Sequence, residues 1–197
     1  MKTTHFFLHV THHITVTIPF SSETLRRHKH GSIFIETGTF MGDGIKAALA
    51  AGFTTVHSIE LDEALYTRAR EAFKDDPRVT VWHGDSAEVL PRILEQIGAA
   101  QCTLWLDAHA SGPLKGGASG GSPVLLELQA VASAPDTECL IMIDDRRLFG
   151  SAEWDFVTEP QAIDCLQSIP RTYEISHEDG FVRDDILVCT PVHSSPQ

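Results

Sequence analysis

Five times between residues 32 and 145 a short apolar run gives way to turn residues and then to a helical pattern. The runs are 32–37, 54–60, 79–83, 102–106 and 138–143, and Glu36, Glu60, Asp85, Asp107, Asp144 and Asp145 close or follow them. Runs too apolar to alternate read as strands buried on both faces, and strands that alternate with helices build a parallel sheet through right-handed crossovers. Two further runs, about 171–177 and 181–189, flank Glu178-Asp179-Gly180 and read as a closing antiparallel pair. The expectation is an α/β fold: a doubly wound, mostly parallel seven-stranded sheet with an antiparallel C-terminal strand and helices on both faces. Ligands of such sheets bind beyond the carboxyl ends of the strands, where these acids stand. A buried strand gains nothing from an acid unless the acid has a task there.

The first junction is the most informative. Ile33-Phe34-Ile35-Glu36-Thr37-Gly38-Thr39-Phe40-Met41-Gly42-Asp43-Gly44 passes from strand through turn into a helix over 43–51, ended by Gly52. Glycines at such a turn let backbone N–H groups approach a ligand with no Cβ in the way. Glu36 can accept hydrogen bonds from the ligand's polar end, and the turn reads as the seat of a nucleoside-like cofactor. The helix after the second strand is expected to bury a stripe of Leu61, Leu65, Ala69, Ala72 and Phe73. Asp85 and Glu88 have capping-box spacing, and Pro91 predicts a short turn before a main helix over 91–97. Residues 110–122 carry five glycines and read as a lid over a second substrate. They do not match G-x-x-x-x-G-K-[ST], which argues against nucleoside triphosphate binding. Ser122-Pro123 predicts an N-cap and first helical residue for a helix to about residue 132, and Thr158 to Gln161 opens another.

Ahead of this pattern, residues 1–31 read as an arm and a connector. Residues 6–18 alternate with period two, as a strand that could join a sheet edge or a partner subunit would. His9, His12 and His13 fit polar positions on such a strand better than a metal site. Residues 21–31 are polar and basic, a connector into one domain over 32–197. A net charge of −12 argues against nucleic acid or an anionic membrane as the main partner. The four dispersed cysteines, without any C-x-x-C, read as free thiols of a reducing compartment. With no membrane-length apolar run and no signal-peptide pattern, the expected location is the cytoplasm.

Two cofactor types compete for the turn. A nicotinamide dinucleotide calls for G-x-G-x-x-G and an acid about 20 residues on. The spacing here is Gly38-x-x-x-Gly42-x-Gly44, and Glu60 suits either reading. An acid before the first glycine and another after the third strand favour S-adenosyl-L-methionine. The segment from Ile33 to Asp145 resembles the Rossmann-like class I S-adenosylmethionine-dependent methyltransferases. Glu36-Thr37-Gly38-Thr39-Phe40-Met41-Gly42 is close to the E-x-G-T-x-x-G of the metal-dependent catechol and caffeoyl-CoA O-methyltransferases. Trp105-Leu106-Asp107-Ala108-His109 and Ile143-Asp144-Asp145-Arg146-Arg147 resemble the W-L-D-A-H and I-D-D-A-R of a group of bacterial methyltransferase-like proteins. The resemblance implies that Glu36, Gly38, Thr39, Phe40 and Gly42 hold the methionine end of the cofactor. It also implies that Glu60, with Leu61, takes the ribose hydroxyls, that Asp85 and Ser86 face the adenine amino group, and that Asp107 borders the donor.

In the metal-dependent members, acids at the fourth and fifth strand ends bind a divalent cation, and Asp107, Asp144 and Asp145 fall there. Hard oxygen ligands suit Mg²⁺, or Mn²⁺ or Ca²⁺. The alternative is that Asp144 and Asp145 cap a loop and pair with Arg146 or Arg147. Asp145 stands where the family has Asn. His109, two residues beyond Asp107, is the candidate general base, ahead of Lys115. Trp154 and Phe156 are candidates for the acceptor's wall. The expected function is methyl transfer from S-adenosyl-L-methionine to a small-molecule acceptor, on a hydroxyl, with metal assistance. The alternatives are a non-catalytic nucleoside-binding module and an NAD-linked oxidoreductase.

Overall fold

The computed structural model describes residues 21–108 and 122–192, so the arm over 1–20, with its histidines and its pairing strand, lies outside the described residues. So do His109 and most of the glycine-rich loop, including Lys115. The elements in chain order are α1 (Ser22–Arg27), β1 (Ile33–Thr37), α2 (Asp43–Ala50), β2 (Thr55–Glu60), α3 (Glu63–Phe73), β3 (Val79–His83) and α4 (Ser86–Ile97). They continue with β4 (Gln101–Leu106), α5 (Val124–Ala132), β5 (Glu138–Ile143), α6 (Glu159–Gln167), β6 (Tyr173–Glu178) and β7 (Ile186–Pro191). Two short 3₁₀ turns, Arg146–Leu148 and Ala152–Trp154, separate β5 from α6.

Among the described residues the strands form one sheet in the order β3-β2-β1-β4-β5-β7-β6. All neighbours from β3 to β5 are parallel, and β7 alone runs against the rest, between β5 and β6. The mostly parallel seven-stranded architecture is as the sequence indicates. The order reverses between β1 and β4, which places the ligand crevice at their carboxyl ends. One apolar layer joins Ile35, Leu104 and Ile141 to Leu90 and Ile93 of α4, Leu128 of α5 and Leu166 of α6. The opposite layer joins Phe34, Val56, Trp105 and Met142 to Ile45 and Ala48 of α2.

Several local expectations are corrected. The connector over 21–31 contains α1, capped by Ser21, and its Leu25 is fully buried in the second layer. The stripe expected on α3 does not form as drawn: Ala69 is buried, Leu65 and Phe73 are partly so, and Leu61 and Ala72 are exposed. α3 borders β3, an edge strand, so little apolar surface is available to it. α4 runs unbroken through Pro91, whose missing N–H removes one bond in the early turns of an otherwise strongly amphipathic helix. Pro123 occupies the N-cap position of α5, one residue ahead of the helix, and the Ser122 amide donates to the Asp155 carboxylate. The expected strand pair opens into a longer connection over 179–185.

α6 opens after Thr158 as expected, and Thr158 and Gln161 exchange bonds there. Cys102, Cys139 and Cys189 are buried free thiols, and Cys165 is partly buried. Among the described residues no helix is long and apolar enough to cross a membrane. Because Leu25 sits at zero exposure, Leu25→Ala is expected to destabilise the protein by about 2–4 kcal/mol in denaturant titration. A loss below about 0.5 kcal/mol would mean that α1 is peripheral.

Candidate functional site at the carboxyl edge of the sheet

Register puts Thr37, Ile59, Leu106 and Ile143 side by side across β2, β1, β4 and β5. The next residues, Glu60, Gly38, Asp107 and Asp144, therefore form a row at the mouth of the crevice. Tertiary structure thus brings together acids that are far apart in the chain. Glu36 lies one step earlier, on the α2 face of β1.

Glu36 is buried beneath the glycine turn. The Ser58 hydroxyl donates to its Oε1 at 2.6 Å, and Thr39 Oγ1 lies 2.5 Å from Ser58 Oγ. Its Oε2 fills the space above Gly44, where a Cβ would stand 1.9 Å away. Glycine is therefore required at residue 44 to admit a carboxyl group. Burial pushes the Glu36 pKa up to about 8, opposed by the Ser58 bond and reinforced by the negative charges of Asp107, Glu60 and Asp43.

The turn is closed upon itself. The Gly38 and Thr39 amides both donate to the Ile59 carbonyl, the Gly42 amide to the Thr39 carbonyl, and the Phe40 amide to Glu60 Oε2 at 2.8 Å. The amides of Gly38, Thr39, Phe40 and Gly42 are thus engaged within the protein. Gly38 has a φ of +89°, and a Cβ there would approach the Asp107 carbonyl oxygen to 2.9 Å, so the close β1–β4 passage requires glycine. Phe40 adopts a positive φ of 46° with its ring half exposed.

Glu60 spends one acceptor direction of each oxygen on the protein, Oε2 on the Phe40 amide and Oε1 on the Asp62 amide. Each oxygen retains another lone pair. Leu61 beside it is exposed at the lip. Asp85 caps α4 by accepting from the Ala87 amide at 3.0 Å, and Ser86 is buried as the first residue of that helix.

Asp107, Asp144 and Asp145 each present an oxygen within 4.8 Å of the others. Burial first, then the charges of Asp107, Asp145 and Asp185, drives the Asp144 pKa up to about 9. Asp144 Oδ1 is buried without a hydrogen-bond partner. Asp145 adopts a left-handed conformation with φ 55°, a region in which Asn and Asp are enriched. It also pairs with Arg147 at 2.5 Å, so a cation there would share Asp145 with a guanidinium.

Some residues of this cluster have no counterpart in the sequence reading. Asp185, fully buried, accepts from the Arg147 amide at 3.1 Å, from its guanidinium, and from the Phe181 amide at 3.1 Å. It reaches the carboxyl edge because β7 runs backwards and begins where β5 ends. Arg147 also lies over the Phe181 ring, 5.1 Å from its centre. Glu127 on α5 is buried, and burial pushes its pKa up to about 7, opposed by the nearby Ser86 and Thr37 hydroxyls. An acid inside the apolar run Val124-Leu125-Leu126-Glu127-Leu128 was the available signal for it. Trp154 is buried against Phe149 at 5.0 Å and belongs to the core, whereas Phe156 is two-thirds exposed.

No protein-family model matches this sequence, and no curated protein matches it. Solved structures share its fold. A methyltransferase of Podospora anserina, PaMTH1, solved with SAH bound, superposes with a TM-score of 0.57 at 15% identity, covering 87% of this chain and 76% of that one. An O-methyltransferase of Bacillus cereus in complex with SAH gives 0.57 at 13% identity, over 87% and 78% of the two chains. The fibrillarin of Aeropyrum pernix, with natively bound S-adenosyl-L-methionine, gives 0.50 at 16% identity, over 84% and 68%. At these identities the likeness establishes a Rossmann-like methyltransferase fold.

The raised Glu36 pKa has a thermodynamic consequence. Between about pH 4.5 and 8 the folded protein holds a proton that the unfolded chain has released, so stability falls as pH rises through this window and levels off above it. Glu36→Gln removes this contribution. The stability of wild type relative to Glu36→Gln is expected to fall by up to about 1.4 kcal/mol per pH unit across the window. Parallel denaturation profiles at pH 5.5 and 7.5 would refute the burial of an ionisable Glu36.

Proposed function

We propose that this protein transfers a methyl group from S-adenosyl-L-methionine to a hydroxyl of a small-molecule acceptor. The observation that carries the reading is the character of the crevice: carboxyl groups converge on it, and the amides of Gly38, Thr39, Phe40 and Gly42 are engaged inside the protein. A dinucleotide brings an anionic pyrophosphate, which gathered carboxyl groups disfavour. S-adenosyl-L-methionine brings a sulfonium and an ammonium, cations that relieve the mutual repulsion of Glu36, Glu60 and Asp107. The resemblance of the Glu36–Gly42 motif to O-methyltransferases, and the fold shared with SAH-bound ones, point the same way.

In this reading Glu60 accepts the ribose hydroxyls with its remaining lone pairs, and Asp85 and Ser86 receive the adenine edge. Gly38 to Gly42 and Glu36 form the wall beside the methionine end, and Asp107 faces the donor across the β1–β4 gap. The cofactor supplies an electrophilic methyl group on a positively charged sulfur. Methyl transfer forms a carbon–oxygen bond on the acceptor, breaks the carbon–sulfur bond, and leaves one proton to be removed. His109, two residues after Asp107 in sequence, is the proposed proton acceptor.

The donor set of Asp107, Asp144 and Asp145 fits a hard divalent cation such as Mg²⁺, Mn²⁺ or Ca²⁺, and the partnerless buried Asp144 Oδ1 has a use in that role. Such a cation would lower the pKa of an acceptor hydroxyl. Without it, Asp144 carries a proton near neutral pH. The free buried thiols fit a reducing compartment such as the cytoplasm.

Calorimetric titration is expected to show binding of S-adenosylhomocysteine and none of NAD(H). Loss of the ribose acceptor in Glu60→Ala is expected to weaken binding about tenfold or more. Binding of NAD(H) alone would reverse the assignment to an oxidoreductase. With labelled cofactor and a panel of hydroxylated small molecules, chelation or Asp144→Ala is expected to abolish methyl transfer. Transfer that survives both treatments rejects the metal, and a panel with no methylated product favours the non-catalytic binding module.

A further inference from the structure

A cation is already built into the acid cluster at the β5 end. Arg147 lies in the 3₁₀ turn Arg146–Leu148 that follows β5. Its Nη1 pairs with Asp145 Oδ1 at 2.5 Å and also with Asp185 Oδ2. Asp145 is one of the three acids, with Asp107 and Asp144, whose oxygens lie within 4.8 Å of one another. Asp185 stands outside that group, so the guanidinium bridges an acid inside it to an acid beside it.

Asp185 holds Arg147 without help from Asp145. It accepts the Arg147 amide on Oδ1 at 3.1 Å, and the guanidinium and the Phe181 amide on Oδ2. Its carbonyl accepts the Arg146 amide at 2.7 Å. The Phe181 ring, 5.1 Å from the guanidinium, offers a second favourable surface to the charge. Arg147 therefore keeps partners when Asp145 is taken by something else. A divalent cation on the three acids would meet a positive charge already seated on one of its ligands, and like charges at this range repel strongly. What the guanidinium does not serve is Asp144 Oδ1, buried with no hydrogen-bond partner among the described residues.

We propose that Arg147 is the resident counter-cation of this cluster, and that a divalent cation binds there by exchange, taking Asp145 while the guanidinium withdraws onto Asp185. This rests on the reading of the three acids as a metal site. In the metal-free protein the guanidinium offsets part of the repulsion among the carboxyl groups. The same charge lowers the affinity of the site for a divalent cation. Asp144 Oδ1 is what the divalent cation gains beyond the groups that Arg147 already satisfies.

The test needs neither cofactor nor acceptor. Mn²⁺ is titrated into the metal-stripped full chain, and the free ion is followed by electron paramagnetic resonance. Arg147→Met, which keeps an apolar stem over Phe181 and loses the charge, is expected to bind Mn²⁺ about tenfold or more tightly than wild type. Damage to the site lowers affinity, so a gain separates removal of a competitor from misfolding. Arg147→Lys, which keeps the charge, is expected to stay near wild type. A lysine variant that gains as much as the methionine variant overturns the proposal. Should Arg147→Met leave Asp185 unpaired and fail to fold, Arg147→Met combined with Asp185→Asn is compared with Asp185→Asn alone, and the same gain is expected. Equal or weaker binding in folded Arg147→Met, or in the double variant against its parent, overturns the proposal and leaves the metal reading intact. Absence of Mn²⁺ binding in wild type and variants alike overturns the metal reading, and this proposal with it.

Discussion

Carboxylates at the ends of buried parallel strands repel one another, and the architecture around the crevice answers that repulsion piece by piece. Glu36 is held by Ser58 and folded against Gly44, Glu60 by two backbone amides, and Asp145 and Asp185 by Arg147. Asp144 keeps a buried oxygen for which the described residues provide no hydrogen bond. The net result is an acid-lined mouth in which a cationic ligand would favour the ionised carboxyls. Burial raises the carboxyl pKa values first, and neighbouring charges raise them further, because both effects oppose the ionised form in a medium of low polarity.

The same constraint separates the two faces of β1. Successive residues point to opposite sides of a strand, so Glu36 serves the glycine turn over α2, and Thr37, on the other face, accepts from the Asp107 amide. Rigidity follows from this arrangement, since β1 is tied to β2 through Glu36 and Ser58 and to the end of β4 through Thr37 and the Asp107 amide.

Much of the fold could be read from local pattern. The βα alternation identified the parallel strands, and Thr158 to Gln161 marked the start of α6, because strand burial and helix starts depend on residues close in sequence. Local reasoning failed where neighbours decide. Leu25 looked like part of a polar connector until α1 was seen to cover the sheet, and α3 lacked the buried stripe because it borders an edge strand. Pro91 read as a helix boundary, but the apolar face of α4 outweighs one missing backbone bond.

For the site, the sequence by itself determined which acids end the strands and which turn they surround: Glu36, Glu60, Asp85, Asp107, Asp144 and Asp145 are read from position alone. A strand-end acid is recognisable because it interrupts an apolar run. Only the tertiary structure decided that the Gly38, Thr39, Phe40 and Gly42 amides are engaged, that Arg147 pairs with both Asp145 and Asp185, and that Glu127 is buried. Those facts depend on strand order, on the reversed direction of β7 and on helix packing across the sheet, which bring together residues as far apart as 147 and 185.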